Sequence, residues 1–107
     1  MKIKISEEFS TEPFGRLDGI LFRDMILMPK LVRSHNTKEK IIIDFDDCYG
    51  ISTVFLDEVF GGLIRIYKYN KKTILKRIKI ISNDDKTIPE LIEKYLNQAE
   101  KDIKKRI

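Results

Sequence analysis

The chain has 107 residues, of which 42% are hydrophobic and 36% charged, and a formal net charge of +4. This length is typical of one domain, and no stretch is long and apolar enough to cross a bilayer. The single cysteine, Cys48, excludes an intramolecular disulfide, and with only one His a zinc site within one chain is not expected. The start of the chain lacks the apolar run of a signal peptide, so we expect a cytoplasmic protein.

Charge is unevenly distributed along the chain. Residues 44–58 contain five acids and no Lys or Arg, which gives a net charge of −5. Residues 65–86 contain eight cations and two acids, which gives +6. Segregated charge of this kind biases how a partner approaches a protein, and it says more here than the total does.

The first third of the chain predicts an edge strand followed by a helix. Alternating Lys and Ile over residues 2–5 indicate a half-buried strand at a sheet edge. Residues 11–19 read as a loop, and a helix is predicted from Leu17. Pro29 predicts a kink or a restart near Met28. The predicted core positions of this helix are Leu17, Ile20, Leu21, Met25, Met28, Leu31 and Val32.

The rest of the chain predicts two more strand–helix pairs. The apolar run 40–45 is typical of a central strand that is covered on both faces, and a second helix is predicted over residues 52–70. Gly61 and Gly62 inside that helix suggest that another group packs very close to it. Residues 74–82 predict the next strand. Thr87 and Glu90 form a capping-box pattern that begins the last helix, and the basic tail 100–107 is expected to fray.

This order predicts an α/β fold. Strands that alternate with helices favour a mixed, largely parallel sheet, here of about four strands packed with three or more helices. We expect one domain over residues 1–107, with its core in about residues 1–99. A further strand is expected in residues 9–16 or 69–75.

Two hydroxyls lie where the central strand passes into the second helix. Ser52 or Thr53 can cap the helix by accepting a hydrogen bond from a free backbone N–H. Either can also be a phosphoacceptor, since a phosphate there would add about −1.5 to −2 charges to an acidic surface. Local chemistry leaves both interpretations open.

The run "IIIDFDDCYGISTVFLDEVFGGL" resembles the STAS domains, which are best known from bacterial anti-sigma factor antagonists. The closer resemblance is to the STAS-like family of unknown function and covers about residues 14–80. It rests on Gly15 and Arg16, on Phe22 and Arg23 with the "L.P.L" pattern, and on "FLDEVFGGL". The antagonists' phosphoacceptor pattern is not intact, because Ser52 replaces its Asp, Val54 its second hydroxyl and Phe55 its Gly.

The resemblance implies a non-catalytic regulatory module that binds a protein partner. In the superfamily that partner is often a histidine-kinase-like ATPase that acts as a serine kinase, so Thr53 and Ser52 become candidate switch hydroxyls. No cofactor or metal is implied. We expect the partner surface to lie on loop 46–53 and the start of the next helix. Its predicted members are Asp46, Asp47, Asp57 and Glu58, with Phe55 if that side chain points outward.

Arg16 and Arg23 are the cations that the resemblance singles out. Each could bind an anion or form a structural ion pair, and the sequence leaves the choice open. The oligomeric state is also open.

Two alternatives come from short patterns. Asp44 and Asp46 resemble the first motif of haloacid-dehalogenase-type phosphatases, in which they would serve as nucleophile and acid/base beside Mg²⁺. The basic segment 65–79, with Tyr67 and Tyr69 among its cations, could bind nucleic acid, although a solvated connector is the simpler interpretation.

Overall fold

A computed structural model describes residues 1–105 of the chain. Its three strands are β1 (Lys2–Lys4), β2 (Ile41–Asp44) and β3 (Ile78–Ile81). Two helices are composite, with a π-helical stretch in the middle of each. The first is α2 (Gly15–Leu21), π1 (Phe22–Leu27) and α3 (Met28–Thr37), and the second is α4 (Thr53–Leu56), π2 (Asp57–Gly61) and α5 (Gly62–Arg65). The remaining helices are α1 (Ile5–Glu8), α6 (Lys71–Arg77) and α7 (Ile88–Lys104).

The sheet has the order β1–β2–β3, and both pairings are parallel. The predicted α/β architecture is therefore confirmed, with β2 in the centre. Within the described residues the sheet has three strands rather than about four. Neither segment in which we expected a further strand forms one: α2 begins at Gly15 and α6 at Lys71. The Asn70 side chain caps α6 by accepting a hydrogen bond from the backbone N–H of Thr73. The strand predicted from residue 74 therefore begins only at Ile78.

One face of the sheet supports the core. Ile3 and Ile43 are in register on neighbouring strands, and both are buried beneath the helices. The opposite face carries Lys2, Ile42 and Lys79 in one row, of which the two lysines are exposed and Ile42 is partly buried. The prediction that β2 is covered on both faces is met only in part, because Ile41 and Ile43 are fully buried while Ile42, on the opposite face, is partly buried between the two exposed lysines.

The first composite helix continues through Pro29 without a break. Met28 has ordinary right-handed helical angles, and π1 immediately precedes it. Pro29 has no N–H to donate within a regular α-helix. The helix accommodates it with a π-helical turn just before the proline, in which the Met28 N–H donates to the Arg23 carbonyl. The predicted restart is thus a change of helical pitch.

The last helix begins differently from the prediction. Thr87 makes no capping bond to the helix, because its hydroxyl and its backbone N–H both donate to the Asp85 carboxylate. The helix also extends to Lys104, into the tail that we expected to fray, while residues 106 and 107 lie outside the described part of the chain. No helix within residues 1–105 has both the length and the apolar character that a membrane span requires.

Candidate functional site

The loops after β2 and β3 are joined by hydrogen bonds at the carboxyl end of the sheet. The Asp46 carboxylate accepts hydrogen bonds from the backbone N–H groups of Asn83 (2.7 Å) and Asp84 (2.9 Å) and from the Asn83 amide (2.9 Å). In return, the Asp84 carboxylate accepts a bond of 2.9 Å from the backbone N–H of Asp47. The backbone bond from Asp84 is the main reason why the pKa of Asp46 is lowered. Asp46 therefore joins two loops.

Asp44 and Asp47 form ion pairs with Lys4 of the neighbouring edge strand. The Lys4 ammonium lies 2.8 Å from the Asp47 carboxylate and 3.6 Å from that of Asp44. The bond to Asp47 is the largest cause of the raised pKa of Lys4. Asp44 is 5% exposed, and its other oxygen accepts a bond of 2.8 Å from the Asp46 backbone N–H. The carboxylates of the phosphatase alternative are thus engaged in fixing the loop.

The structure gives the two candidate hydroxyls different roles. The Ser52 hydroxyl oxygen accepts backbone hydrogen bonds from Phe55, in the first turn of α4, and from Gly15, at the start of α2, both at 3.0 Å. Ser52 is therefore the helix cap and also links the starts of the two composite helices. Thr53 is the first residue of α4 and is exposed. Phe55 is fully buried, which makes it a core residue and removes it from the predicted partner surface.

Two exposed aromatic side chains flank this loop, and sequence reasoning missed both as site residues. Phe14 is 76% exposed and Tyr49 is 83% exposed. They line a shallow concavity of about 400 Å³ together with Glu12, Gly50, Ile51 and Ser52. We call Phe14, Tyr49, Ile51, Thr53 and Val54 the loop surface. The signal available in the sequence was two aromatics in loop segments, one of them three residues before the candidate hydroxyls.

Arg23 lies buried between the two composite helices. It is 3% exposed, and its guanidinium donates to the Asp24 carboxylate at 2.9 Å and to the Glu58 carbonyl oxygen at 2.7 Å. A longer bond of 3.3 Å reaches the Glu58 carboxylate. The guanidinium also lies 5.8 Å from the centre of the Tyr67 ring, whose hydroxyl donates to Asp24. Arg23 is therefore a structural ion-pair residue.

The glycine pair provides the space for two arginines. A Cβ on Gly62 would lie 2.2 Å from Nη1 of Arg23, and one on Gly61 would lie 2.5 Å from Nη1 of Arg65. The close packing inferred from the sequence is thus present. Arg16 differs from both arginines, because its side chain is 77% exposed and only approaches Glu58, at 3.6 Å.

The four predicted acidic residues do not form one free rim. Asp46 and Asp47 belong to the loop contacts at the sheet edge described above. Asp57 pairs with Arg65 at 3.1 Å, and Arg65 in turn binds Asp102 of α7. Glu58 faces Arg23 and Arg16. Arg65 follows Asp57 by eight residues on the same composite helix, whereas Lys4, Arg16 and Arg23 come from elements distant in the chain, so sequence spacing could not show their pairs.

The basic segment 65–79 is also divided among several elements. Arg65 ends the second composite helix, Lys71 begins α6 and binds Glu93 of α7 at 3.0 Å, and Lys79 lies on β3. Tyr69 stacks on His35, with ring centres 5.4 Å apart, and its hydroxyl lies 3.2 Å from the imidazole. His35, for which the sequence indicated no role, thus packs against this segment.

Comparison with known proteins places these features in a family. The family described as "STAS-like domain of unknown function (DUF4325)" matches residues 18–87, about two thirds of the chain. No curated protein and no solved structure matched the chain significantly.

Proposed function

The chain belongs to the STAS-like domain family, and from that premise we propose that it is a cytoplasmic, non-catalytic regulatory module that binds a protein partner through its loop surface. Thr53 is the proposed switch within this surface. The partner that the family resemblance suggests is a histidine-kinase-like ATPase that acts as a serine kinase.

The observation that carries the proposal is the exposed aromatic pair beside an exposed hydroxyl. Large aromatic side chains are enriched in the buried centres of protein interfaces. Phe14 and Tyr49 are more than three-quarters exposed and line one concavity that Ser52 also lines. A partner that covers this concavity would approach Thr53, the residue next to Ser52.

The contacts of the two hydroxyls support Thr53 over Ser52 as the modified residue. A phosphate on Ser52 would displace two backbone N–H donors from its oxygen and disturb the starts of both composite helices. A phosphate on Thr53 would leave that cap in place. It would add about −1.5 to −2 charges one helical turn before Asp57 and so change the charge that a partner meets.

The contacts of Asp44 and Asp46 support a non-catalytic role. Catalytic carboxylates need an oxygen that can reach a substrate or a metal ion. Asp44 is almost fully covered, and Asp46 uses both carboxylate oxygens to hold the loop after β3.

The experiment is affinity capture of the tagged protein from its own cells, with mass spectrometry of its phosphosites and of the captured proteins. We expect a kinase-like ATPase in the capture and phosphate on Thr53. Thr53→Glu should weaken capture, since it mimics the phosphate, while Thr53→Ala should retain it. Tyr49→Ala should weaken capture without changing the melting temperature, because Tyr49 is so exposed.

Two outcomes would count against the proposal. One is undiminished capture by both Thr53→Glu and Tyr49→Ala. The other is release of phosphate from a generic phosphate ester in the presence of Mg²⁺, lost in Asp44→Asn, which would favour the phosphatase alternative.

A further inference from the structure

The outer edge of β3 carries backbone groups that are not paired within the sheet. The Ile81 carbonyl accepts a hydrogen bond of 2.8 Å from the Phe45 N–H, so the backbone groups of Ile81 point toward β2. Along a strand, the backbone groups of successive residues point to opposite edges. The N–H and the carbonyl of Ile80 therefore point away from β2, and within residues 1–105 neither has a hydrogen-bond partner.

The outer edge of β1, on the other side of the sheet, is closed. The Lys4 N–H donates to the Glu8 carboxylate at 2.8 Å, and α1 begins at the next residue. Glu8 thus satisfies a backbone group that a further strand would need. An edge strand without such a cover is a template for pairing with another chain. The edge that can accept a strand is therefore the one at β3.

Charged residues of opposite sign flank β3. Lys76 and Arg77 end α6 directly before the strand, and Asp84 and Asp85 lie in the loop after it. In the part of the chain that the structure describes, none of these four side chains forms an ion pair. Lys76 and the two acids are exposed. The edge is thus basic at its start and acidic at its end.

We infer that β3 pairs with β3 of a second copy of the chain, antiparallel across a two-fold axis at Ile80. Two three-stranded sheets then form one continuous sheet. The Ile80 N–H of each copy donates to the Ile80 carbonyl of the other, as facing hydrogen-bonded residues do in antiparallel strands. The Ser82 N–H donates to the Ile78 carbonyl of the other copy. An antiparallel pair beside parallel strands is common in mixed sheets.

Charge complementarity supports a second copy as the occupant and sets the direction of pairing. Antiparallel strands bring Lys76 and Arg77 of each copy to the Asp84 and Asp85 side chains of the other. Parallel strands would bring like charges together. The same register sets Lys79 against Ile81 of the other copy, so the two exposed lysines do not face each other. The inference is independent of the proposed switch, since β3 is distinct from the loop surface.

The first test is the mass of the purified chain by sedimentation, from low micromolar to submillimolar concentration. The wild type should show a monomer–dimer equilibrium. Lys76→Glu with Arg77→Glu should raise the dimer Kd by roughly tenfold or more, because each copy then opposes acids to acids. Lys94→Glu with Lys101→Glu is the matched control, since both lysines are exposed on α7 and the charge change is the same. This control should leave the Kd unchanged.

Charge reversal on the other side of the strand gives a rescue experiment. Chains with Asp84→Lys and Asp85→Lys should also dimerise weakly on their own. An equimolar mixture of these chains with the Lys76→Glu, Arg77→Glu chains should recover a dimer, because each interface then pairs opposite charges. Circular dichroism melting should show that all variants are folded.

The second test locates the two-fold axis by disulfide formation in a Cys48→Ser background. Antiparallel pairing at Ile80 makes residue 79 of one copy and residue 81 of the other a facing pair, with Cα atoms about 4.5 Å apart and within disulfide reach. A mixture of Lys79→Cys and Ile81→Cys chains should therefore cross-link. Lys79→Cys alone should not, since its two copies lie about 8 Å apart.

A monomer at every concentration would overturn the inference, as would a dimer that is indifferent to the charge reversals. Efficient cross-linking of Lys79→Cys alone would overturn the antiparallel register. A monomeric chain that loses a captured partner in Lys76→Glu, Arg77→Glu would assign the edge to a strand of that partner and refute the dimer. A monomer whose capture of a partner depends only on Thr53 and Tyr49 would also refute the dimer and leave the proposed function standing.

Discussion

Adding one methyl group at Gly62 should disrupt the contact between the two composite helices. The Cβ of Gly62→Ala would lie 2.2 Å from Nη1 of Arg23, 3.0 Å from its Cζ and 3.1 Å from its Cδ. The guanidinium would have to move by about 1 Å to reach ordinary contact distance. It could not then keep its bond of 2.7 Å to the Glu58 carbonyl.

The expected cost is about 2–4 kcal/mol. Loss of a buried hydrogen bond to a charged group costs about 1.5–3 kcal/mol, and overpacking adds about 1–3 kcal/mol. Replacing Gly with Ala inside a helix returns about 1 kcal/mol. For a domain of this size the melting temperature should fall by roughly 10 °C or more.

Gly61→Ala is the matched control. Its Cβ would also be crowded, at 2.5 Å from Arg65 and 2.8 Å from Asp57. Those side chains are 24% and 38% exposed, so their ends can turn into solvent. The stability lost with the exposed Arg65–Asp57 ion pair nearly cancels the stability gained from the higher helix propensity of Ala. The free energy of unfolding of Gly61→Ala should therefore stay within about 1 kcal/mol of that of the wild type.

Urea denaturation of a double-mutant cycle with Arg23→Ala would test the reasoning. In the Arg23→Ala background, Gly62→Ala should no longer destabilise and should stabilise by up to about 1 kcal/mol. Equal costs for Gly61→Ala and Gly62→Ala would refute the reasoning, and so would an unchanged cost of Gly62→Ala after Arg23 is removed.

Three further predictions follow from the loop. Ser52→Ala should lower the free energy of unfolding by about 1–2 kcal/mol in urea denaturation, because two backbone N–H groups lose their acceptor. Thr53→Ala should change it by less than about 0.5 kcal/mol. Similar costs for the two substitutions would contradict the assignment of Ser52 as the cap. Asp46→Ala should lower the melting temperature at pH 7, and its effect should become smaller as the pH falls below about 4. The pKa of Asp46 is lowered in the folded state, so its contribution is complete above the unfolded pKa of about 4 and is lost as the pH falls through the folded value. A difference from the wild type that does not shrink in acid would contradict this. Gly15→Ala should destabilise by about 1–2 kcal/mol in the same denaturation assay, since Gly15 has a φ of 79°, and a neutral effect would show that the turn can relax.

The sequence predicted the order of the elements better than the faces that they bury. The run of isoleucines identified the central strand, and the glycine pair indicated close packing inside the second composite helix. The first composite helix carries apolar residues on opposite sides, so periodicity alone could not decide between Leu17 and Leu21, which are exposed, and the buried face of Phe22. Arginine is usually exposed, so nothing in the sequence indicated that Arg23 is buried. Its guanidinium occupies the space that Gly62 leaves free.

The candidate site was harder to predict, because its contacts join distant parts of the chain. The charge run at residues 44–58 reads as one acidic surface. In the structure the cations come from β1, the first composite helix and the second composite helix, and the N–H donors for Asp46 come from the loop after β3. Thr53 and Ser52 look equivalent in the sequence. The backbone N–H groups of Phe55 and of Gly15, 37 residues earlier in the chain, both donate to Ser52 and so distinguish the cap from the exposed hydroxyl.

Several residues that carry the family resemblance, among them Gly15, Arg23, Glu58 and Gly62, meet in one seam between the two composite helices. The N–H of Gly15 binds Ser52, a Cβ on Gly19 would lie 2.7 Å from Cβ of Glu58, and Arg23 fills the space beside Gly62. These contacts follow one another along two helices that run in the same direction. The shared motif therefore describes how the helices pack. The loop surface lies outside this seam, so substitutions at Tyr49 or Thr53 should leave the contacts that hold the domain together undisturbed.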